Sequence, residues 1–272
     1  MLLGTGSTPR RIVRGIALLM LAAFTVFFSV IGAHAGDAHA YWAADLFDPY
    51  TTAVNQEDAY LYSPAFLLAI GPLKLLPWPA FFAVFTALNV VVLAWMVGPV
   101  VAALVLLPIG FSPVFVDLWY GNIGILMGAA LVLAFRHPAA WSFLLLTKIT
   151  PGVGLAWFVA RREWRYVMQA SLITLGIVAI SFVIAPGTWV AWPKHLAESA
   201  ALPEIFPLPP LWLRLAAAVV VALVGGLLAW RWTVVLAAFL AQPVFWFTGF
   251  SMLLAWVGLL RHRRAIRARV TS

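Results

Sequence analysis

The sequence predicts an all-α polytopic membrane protein, and three observations lead to that fold class. Of the 272 residues, 64% are hydrophobic and only 10% are charged, whereas a soluble domain carries about 25% charged residues. The mean hydropathy is +1.01. The apolar runs are continuous and do not alternate with polar residues, which excludes a transmembrane β-barrel. Because lipid offers the backbone no hydrogen-bond partners, such runs must be helices.

The charge distribution indicates membrane orientation and no nucleic-acid partner. The formal charge is +8, but the basic residues form short clusters beside apolar spans, as the positive-inside rule expects. The clusters are Arg10, Arg11 and Arg14; Arg161, Arg162 and Arg165; and the run from Arg261 to Arg269. The chain has no cysteine, so disulfides and thiolate metal sites are excluded.

The first apolar run, about Ile12–Ile31, predicts a membrane helix that begins after a basic segment. The following Ala33-His34-Ala35 fits a signal-peptide cleavage site, but an uncleaved signal anchor is the simpler interpretation because many spans follow. The polar stretch Gly36–Tyr62 holds five of the nine acids and no Lys or Arg. We therefore expect an outer loop of about residues 35–63, with its aromatic rings at the headgroup level.

After this loop the apolar segments are many and short. A full crossing needs about 20 residues, so several of the segments are expected to be half-membrane helices that break at Pro108, Pro113, Gly121, Pro138, Pro151 and Pro243. Broken backbone at membrane depth is tolerated where it lines a cavity, which favours a catalytic or transport function. The segments are Pro64–Leu76, Pro79–Val97, Pro99–Ile109, Val114–Trp119, Ile123–Phe135, Ala139–Leu146, Gly152–Ala160, Tyr166–Ala185, Leu211–Trp230, Trp232–Ala241 and Val244–Leu260.

The orientation that follows is self-consistent for a single transmembrane domain over residues 1–272. If Ile12–Ile31 runs outward, 14 of 17 basic residues fall inside, Lys74 among them, and eight of nine acids fall outside or face that side. Both termini are then cytoplasmic. We expect a second outer loop at about residues 186–210 and a cytoplasmic basic tail at residues 261–272.

Two residues are the main candidates for chemistry. Asp37 follows the first span directly, where a partly desolvated carboxylate could act as a general base on a hydroxyl; the alternative is a solvated loop acid. Lys148 lies between two short segments whose other ends carry cytoplasmic arginines, which predicts a hairpin with Lys148 at its outer tip. A buried cation needs a partner, and that partner is either a phosphate or headgroup, or an internal acid such as Asp117.

Other polar positions have weaker interpretations. Tyr60 and Tyr62 precede Ser63-Pro64, which begins a helix with proline in its first turn; the alternative for these tyrosines is an interfacial anchor. Asn122 at the Gly121 break either enters the cavity or caps a helix. Lys194 and His195 either contact a charged ligand or are solvated. The set His34, Asp37 and His39 lacks a sheltered geometry, so no metal site is predicted.

These pieces, in this order, resemble the GT-C glycosyltransferases and most closely glycosyltransferase family 87. The resemblance extends over nearly the whole chain, and its motifs, each weak alone, form a moderately specific ordered set. The matching motifs are Gly36-Asp37…Tyr41; Tyr60-x-Tyr62-Ser63-Pro64; Gly121-Asn122-Ile123; Lys148-x-x-Pro151 followed by Arg161-Arg162-x-Trp164; and Gln242-Pro243-Val244-Phe245-Trp246.

The resemblance implies a GT-C-like bundle of about 9–12 full and half-membrane helices in the plasma membrane, with an extracytoplasmic active site. It implies an inverting transfer of a hexose, with mannose as the implied sugar, from polyprenyl phosphate to a glycolipid or glycan acceptor, without metal or cofactor. Asp37 matches the catalytic aspartate of the family. The candidate substrate-binding residues, taken from motifs and position together, are Tyr41, Asp58, Tyr60, Tyr62, Asn122, Lys148, Lys194, His195, Gln242 and Trp246.

Two departures from the family pattern leave alternatives open. Members usually carry Ser-Pro-x-x-Trp followed closely by His in the last spans, whereas here Gln242 replaces the Ser and Phe247-Thr248 follow Trp246. The chain is also about a third shorter than typical members. One alternative is a non-catalytic membrane partner in cell-envelope assembly. The other is a transporter or lipid flippase, although we find no internal repeat of the kind that such folds usually show.

Overall fold

The computed structural model of the protein describes residues 7–31, 36–107, 112–201 and 208–270, with side chains up to residue 262. This part of the chain forms fourteen α-helices, three 3-10 helices and no strand. The 3-10 helices are Gly71–Leu75, Thr150–Leu155 and Phe247–Leu254. The α-helices are α1 (Ser7–Ile31), α2 (Gly36–Ala43), α3 (Pro64–Ile70), α4 (Trp78–Val97), α5 (Pro99–Val105), α6 (Pro113–Tyr120), α7 (Gly124–Leu133), α8 (Ala140–Thr147), α9 (Ala156–Ala160), α10 (Trp164–Ile184), α11 (Pro186–Ala200), α12 (Leu211–Leu227), α13 (Trp232–Leu240) and α14 (Ala255–Val270).

Three helices among the described residues are long and apolar enough to cross a bilayer: Thr8–Ile31, Trp78–Val97 and Trp164–Ile184. The pair α6 and α7 adds a fourth candidate span, which is bent by 110° at its break. Most side chains of α1 and α10 are exposed although they are apolar, and an apolar surface of that size is stable in lipid but not in water. These observations confirm the prediction of an all-helical polytopic membrane protein.

The remaining apolar helices are short, as the sequence predicts. Pro113 begins α6, Gly121 ends it in the left-handed conformation (φ 64°), and Pro151 lies in the first turn of the 3-10 helix at Thr150–Leu155. Pro138 and Pro243 lie between helices. Proline cannot supply the N–H that a helix interior needs, so these prolines lie between helices or in a first turn. The predicted break at Pro108 and the proposed cleavage site at Ala33-His34-Ala35 lie outside the described residues.

Two segments differ from the sequence-based expectation. Most of the segment predicted as the second outer loop, residues 186–210, is the helix α11, because Pro186 occupies the first turn, where its fixed φ suits a helix. The last span, predicted as continuous over Val244–Leu260, instead begins as extended chain at Trp246 and continues as the 3-10 helix Phe247–Leu254 before α14.

The arginines of several connections gather at one end of the bundle. Arg261 on α14 donates to the backbone carbonyls of Ala94 and Trp95, near the C-terminal end of α4. The guanidinium of Arg231 lies 5.2 Å from the ring centroid of Phe135, just after α7. Cations are favourable at helix C-termini, where carbonyl groups lack partners. These contacts place Arg261 and Arg231 beside the C-terminal ends of α4 and α7.

Lys74 is an exception, and the prediction that it lies with the other basic residues is wrong. Its Nζ donates to the carbonyls of Tyr41, Trp42 and Ala44, at the end of α2. The reason is length: α3 and the following 3-10 helix together span roughly 20 Å, against about 30 Å for a bilayer. The chain therefore does not cross before Lys74, and Trp78 at the start of α4 packs edge-on against His39 of α2 at 4.8 Å.

Close helix packing at the basic end depends on Gly226 of α12. A Cβ added there would lie 2.5 Å from the carbonyl oxygen of Trp157 and 2.8 Å from the Cβ of Ala160. Small residues of this kind allow the backbones of membrane helices to approach one another. Gly176 of α10 has no neighbouring atom within 4 Å of such a Cβ, so it provides a matched control.

We expect Gly226→Ala to destabilise the protein by about 1–3 kcal/mol, because the added methyl overpacks α9 against α12. Gly176→Ala should be neutral or stabilising by up to about 1 kcal/mol, since it removes a flexible residue from a helix interior. Thermal unfolding of both variants in the same detergent measures the difference. Equal unfolding midpoints would contradict the packing described here.

Candidate active site

The candidate site is built around Asp37, in the first turn of α2. The position is favourable because the N-terminal end of a helix stabilises a negative charge. The carboxylate is half-buried, and α2 lies directly against the break between α6 and α7. A Cβ added to Gly121 would lie 2.3 Å from the Cβ of Ala38. Only glycine at position 121 therefore allows both the left-handed turn and this approach.

Asn122 joins the break to Asp37. Its Nδ2 donates to Asp37 Oδ2 at 2.6 Å and to Thr248 Oγ1 at 3.3 Å. Its Oδ1 accepts the Ile123 N–H at 2.6 Å. The backbone donor defines which end of the amide is oxygen, so the nitrogen must face the carboxylate. Asn122 thus enters the site, as one of the two sequence-based interpretations expected.

Lys148 reaches the same place from another element. It follows α8 in an extended conformation and lies between that helix and the 3-10 helix Thr150–Leu155, which agrees with the predicted hairpin. Its ammonium interacts electrostatically with Asp37 and with Asp117. Among the described side chains it makes no ion pair within 4.0 Å. Lys148 and Asp37 therefore face one site without a direct ion pair.

Two tyrosines form the next layer. Tyr41 of α2 donates to the hydroxyl of Tyr62 at 3.1 Å, and both rings are buried. Burial raises the pKa of Tyr62, and the charge of Asp37 raises it further. Both phenols therefore stay protonated at neutral pH. They can serve as hydrogen-bond donors but not as bases.

Tyr60 and Ser63 make internal contacts. The Tyr60 hydroxyl donates to the Ser63 carbonyl at 2.9 Å, and the Ser63 hydroxyl donates to the carbonyl of Leu146 on α8. Ser63 also accepts the Phe66 N–H and so caps α3. Pro64 lies in the first turn of this helix, as the sequence predicts. Ser63 therefore joins the outer loop to the hairpin that carries Lys148, and Tyr60 braces the loop at Ser63.

Asp58 and His195 fasten other segments to this layer. Asp58, in the left-handed conformation (φ 62°), contacts His39 Nδ1 of α2 at 2.7 Å. His195 of α11 packs on Tyr50 at 4.7 Å between ring centroids and lies close to the Tyr60 backbone. Burial lowers the pKa of His195, so this contact is made by a neutral ring. The outer loop is held between α2 and α11.

For three predicted site residues the structure describes no contact with Asp37. The Lys194 side chain is 83% exposed and its Nζ lies 3.9 Å from Glu198 Oε1. Gln242 is buried, with its Nε2 3.6 Å from the sulfur of Met252. Trp246 is 51% exposed. Trp246 is nevertheless close in the chain to the site, because Thr248 two residues later contacts Asn122.

Burial raises the pKa of the Asp37 carboxyl above its usual range, although Lys148 and the Asn122 hydrogen bond both act to lower it. A carboxyl group with a raised pKa is a stronger base once it is ionised. The alternative interpretation of Asp37 as a solvated loop acid does not fit this environment, since the group is half-buried and hydrogen-bonded to a buried amide.

Sequence reasoning missed three polar side chains near the site. Thr248 and Ser251, on the 3-10 helix Phe247–Leu254, contact Asn122 and Asp117, and Lys74 holds the end of α2. The sequence does mark Asp117 as a candidate functional residue, because it is a lone acid in an apolar segment. It does not distinguish Thr248 and Ser251, since Ser and Thr occur throughout membrane helices.

An open apolar groove of about 370 Å³ lies on another face of the same 3-10 helix, lined by Leu104, Val105, Leu107, Ser112, Pro113, Val114, Phe250, Leu253 and Leu254. It has no titratable lining residue and is separate from Asp37.

The metal set considered above includes His34, which lies outside the described residues. Within the described residues there is no cluster of three or more His, Cys, Asp or Glu.

The fold and the site define a polytopic helical membrane protein in which a carboxylate, an amide and an ammonium converge at broken helices. The chain matches glycosyltransferase family 87 over residues 60–270, more than half its length, and it belongs to that family. The matched range begins after Asp37 and α2. No curated protein and no solved structure matches the chain.

We expect Lys74→Met to lower the free energy of unfolding by about 2 kcal/mol, because three carbonyls at the end of α2 lose a charged donor. Lys194→Met is the matched control: it removes an exposed lysine whose pairing is worth little. Thermal unfolding in detergent measures both. A midpoint for Lys74→Met equal to that of the control would show that the cation does not stabilise α2.

Proposed function

We propose that this family 87 glycosyltransferase moves a hexose, with mannose as the first candidate, from polyprenyl phosphate to a hydroxyl of a glycolipid or glycan acceptor. The observation that supports this most strongly is the convergence of Asp37, Asn122 and Lys148 from α2, the α6–α7 break and the α8 hairpin. A base and a cation on one site are what transfer from a phosphate leaving group requires.

The proposed step is a single inverting displacement. The acceptor oxygen attacks the anomeric carbon while its proton passes to the Asp37 carboxylate. The bond between the anomeric carbon and the phosphate oxygen breaks, and its electron pair leaves with polyprenyl phosphate. Lys148 stabilises the negative charge that grows on this phosphate. Asn122 holds Asp37 by donating to Oδ2.

The proposed location is the plasma membrane, with both termini in the cytoplasm and the site on the extracytoplasmic side. The support is the grouping of Arg231 and Arg261 at one end of the bundle, away from Asp37. Cytoplasmic ends of membrane proteins carry an excess of Lys and Arg. Lys74 does not weaken this orientation, since its charge is taken up by backbone carbonyls.

The first test is transfer of label by the purified protein in nanodiscs, from radiolabelled polyprenyl-phosphomannose to a membrane glycolipid extract. We expect Asp37→Asn and Lys148→Met each to lower the rate at least about 100-fold, through loss of the base and of the phosphate partner. Lys148→Arg should retain part of the rate because it keeps the charge. Asp48→Asn, an exposed acid of the same loop, is the control.

Full activity of Asp37→Asn would disprove its role as the base. No transfer by the wild type with any polyprenyl-linked sugar would favour the non-catalytic partner, for which stable co-purification with a complete glycosyltransferase is the test. Substrate flux into proteoliposomes without product would favour the transporter.

The pH dependence gives a second test. The base must be ionised, so kcat/KM falls as the pH drops through the pKa of Asp37, which burial holds above 3.8. Asn122→Ala removes a hydrogen bond to the charged form, so the pKa should rise further, and the acidic limb should move up by about one pH unit. Asn89→Ala is the control, because Asn89 is buried on α4 and donates to Phe85 instead. If the acidic limb of the kcat/KM profile stays in place in Asn122→Ala, the proposed role of Asn122 is contradicted.

A further inference from the structure

A second carboxylate lies behind the proposed site. Asp117 is on α6, one turn before Gly121, and is completely buried. A buried carboxylate is unfavourable unless donors surround it, so its neighbours show what it is used for. The proposed mechanism gives Asp117 no role.

The donors come from across the break. Asp117 Oδ2 accepts the Ile125 N–H at 2.8 Å and the Ser251 hydroxyl at 2.7 Å, and the Gly124 backbone lies close to the same carboxylate. Gly124 and Ile125 begin α7, where the first N–H groups have no partner within the helix. The carboxylate therefore caps α7 from the preceding helix and holds the 110° bend.

Asp117 is also connected to Asn122, in two ways. Its backbone carbonyl accepts the Asn122 N–H at 2.8 Å. Its carboxylate fixes Ser251, which lies about one turn after Thr248 on the same 3-10 helix, and Thr248 accepts from Asn122. Asp117 is thereby linked to both the backbone and the amide of Asn122.

Gly124 shows how closely these groups are packed. A Cβ there would lie 2.3 Å from Ser251 Oγ and 3.0 Å from each carboxylate oxygen of Asp117. A real side chain cannot make such contacts, so any residue other than glycine would separate the hydroxyl from the carboxylate. The break sequence Gly121-Asn122-Ile123-Gly124 therefore begins and ends with a glycine that close contacts require.

We propose that Asp117 is a positioning residue for the transfer reaction: through α7 and Ser251 it holds the Asn122 amide on Asp37. The inference rests on the proposed function. The charged and titratable groups that interact with Asp37 are Lys148, Asp117, Tyr41 and Tyr62. Ser251→Ala weakens the link while leaving all of these groups in place.

The experiment compares Ser251→Ala with Ser142→Ala. Ser142 is an equally buried serine, whose hydroxyl pairs with Thr174 between α8 and α10 at 3.0 Å, away from Asn122. In Ser251→Ala the acidic limb of kcat/KM should move up by at least about half a pH unit, because the Asn122 hydrogen bond to the ionised Asp37 weakens. In Ser142→Ala it should stay in place. Equal profiles for the two variants would overturn the proposal.

A double variant separates positioning from general loosening. If Ser251 acts through Asn122, then Asn122→Ala/Ser251→Ala should have the same profile as Asn122→Ala alone. Additive shifts would overturn the proposed route. Asp117→Asn keeps an oxygen acceptor for the Ile125 N–H, so it should retain at least about tenfold more activity than Asp117→Ala; equal activities would count against the capping role.

An activity-independent measurement keeps the inference separate from the proposed function. Infrared titration in nanodiscs follows the protonated carboxyl band of Asp37, assigned by its loss in Asp37→Asn. Ser251→Ala should raise the midpoint of this titration and Ser142→Ala should not. Absence of transfer by the wild type would overturn the proposed function, whereas an unmoved infrared midpoint in Ser251→Ala would overturn the role of Asp117.

Discussion

The 110° break between α6 and α7 is the constraint on which the rest of the site depends. A helix that bends this sharply exposes carbonyls at one end and N–H groups at the other. Here a left-handed Gly121 ends α6, and the buried carboxylate of Asp117 accepts the Ile125 N–H in the first turn of α7. Satisfying the backbone in this way leaves Asn122 at the turn, where its amide meets Asp37.

The charges at the site stabilise one another. A single buried charge at membrane depth is unfavourable, and Lys148 alone would be destabilising on the hairpin tip. Asp37 and Asp117 both interact with it electrostatically, while Asn122 donates to Asp37, and Ser251 and Ile125 donate to one carboxylate oxygen of Asp117. The two acids and Lys148 therefore share one site, and removing either acid would change how Lys148 interacts with a substrate phosphate.

The sequence was sufficient to predict the parts governed by local chemistry. Proline and glycine located the breaks of the short helices, and the flanking arginines predicted a hairpin with Lys148 at its tip. Contacts between distant segments could not be predicted from the sequence. Lys74 lies in an apolar run, as a snorkelling lysine would. Nothing near it in the chain indicates that it binds the carbonyls of Tyr41, Trp42 and Ala44. The helix α11 was missed because its composition is polar, and its burial against Tyr50 is a tertiary effect.

The position of Thr248 helps to interpret the residues that follow Trp246, where the sequence departs from the family pattern. Where the family pattern has a histidine closely after the tryptophan, this chain has Phe247 and Thr248, and Thr248 contacts Asn122. A threonine hydroxyl donates or accepts a hydrogen bond but does not titrate near neutral pH, whereas histidine can exchange a proton there. Thr248 therefore gives the segment beside Asn122 a hydrogen-bonding hydroxyl that does not titrate near neutral pH. In the proposed reaction the proton of the acceptor goes to Asp37, so the precision with which Asn122 holds that carboxylate matters for the rate.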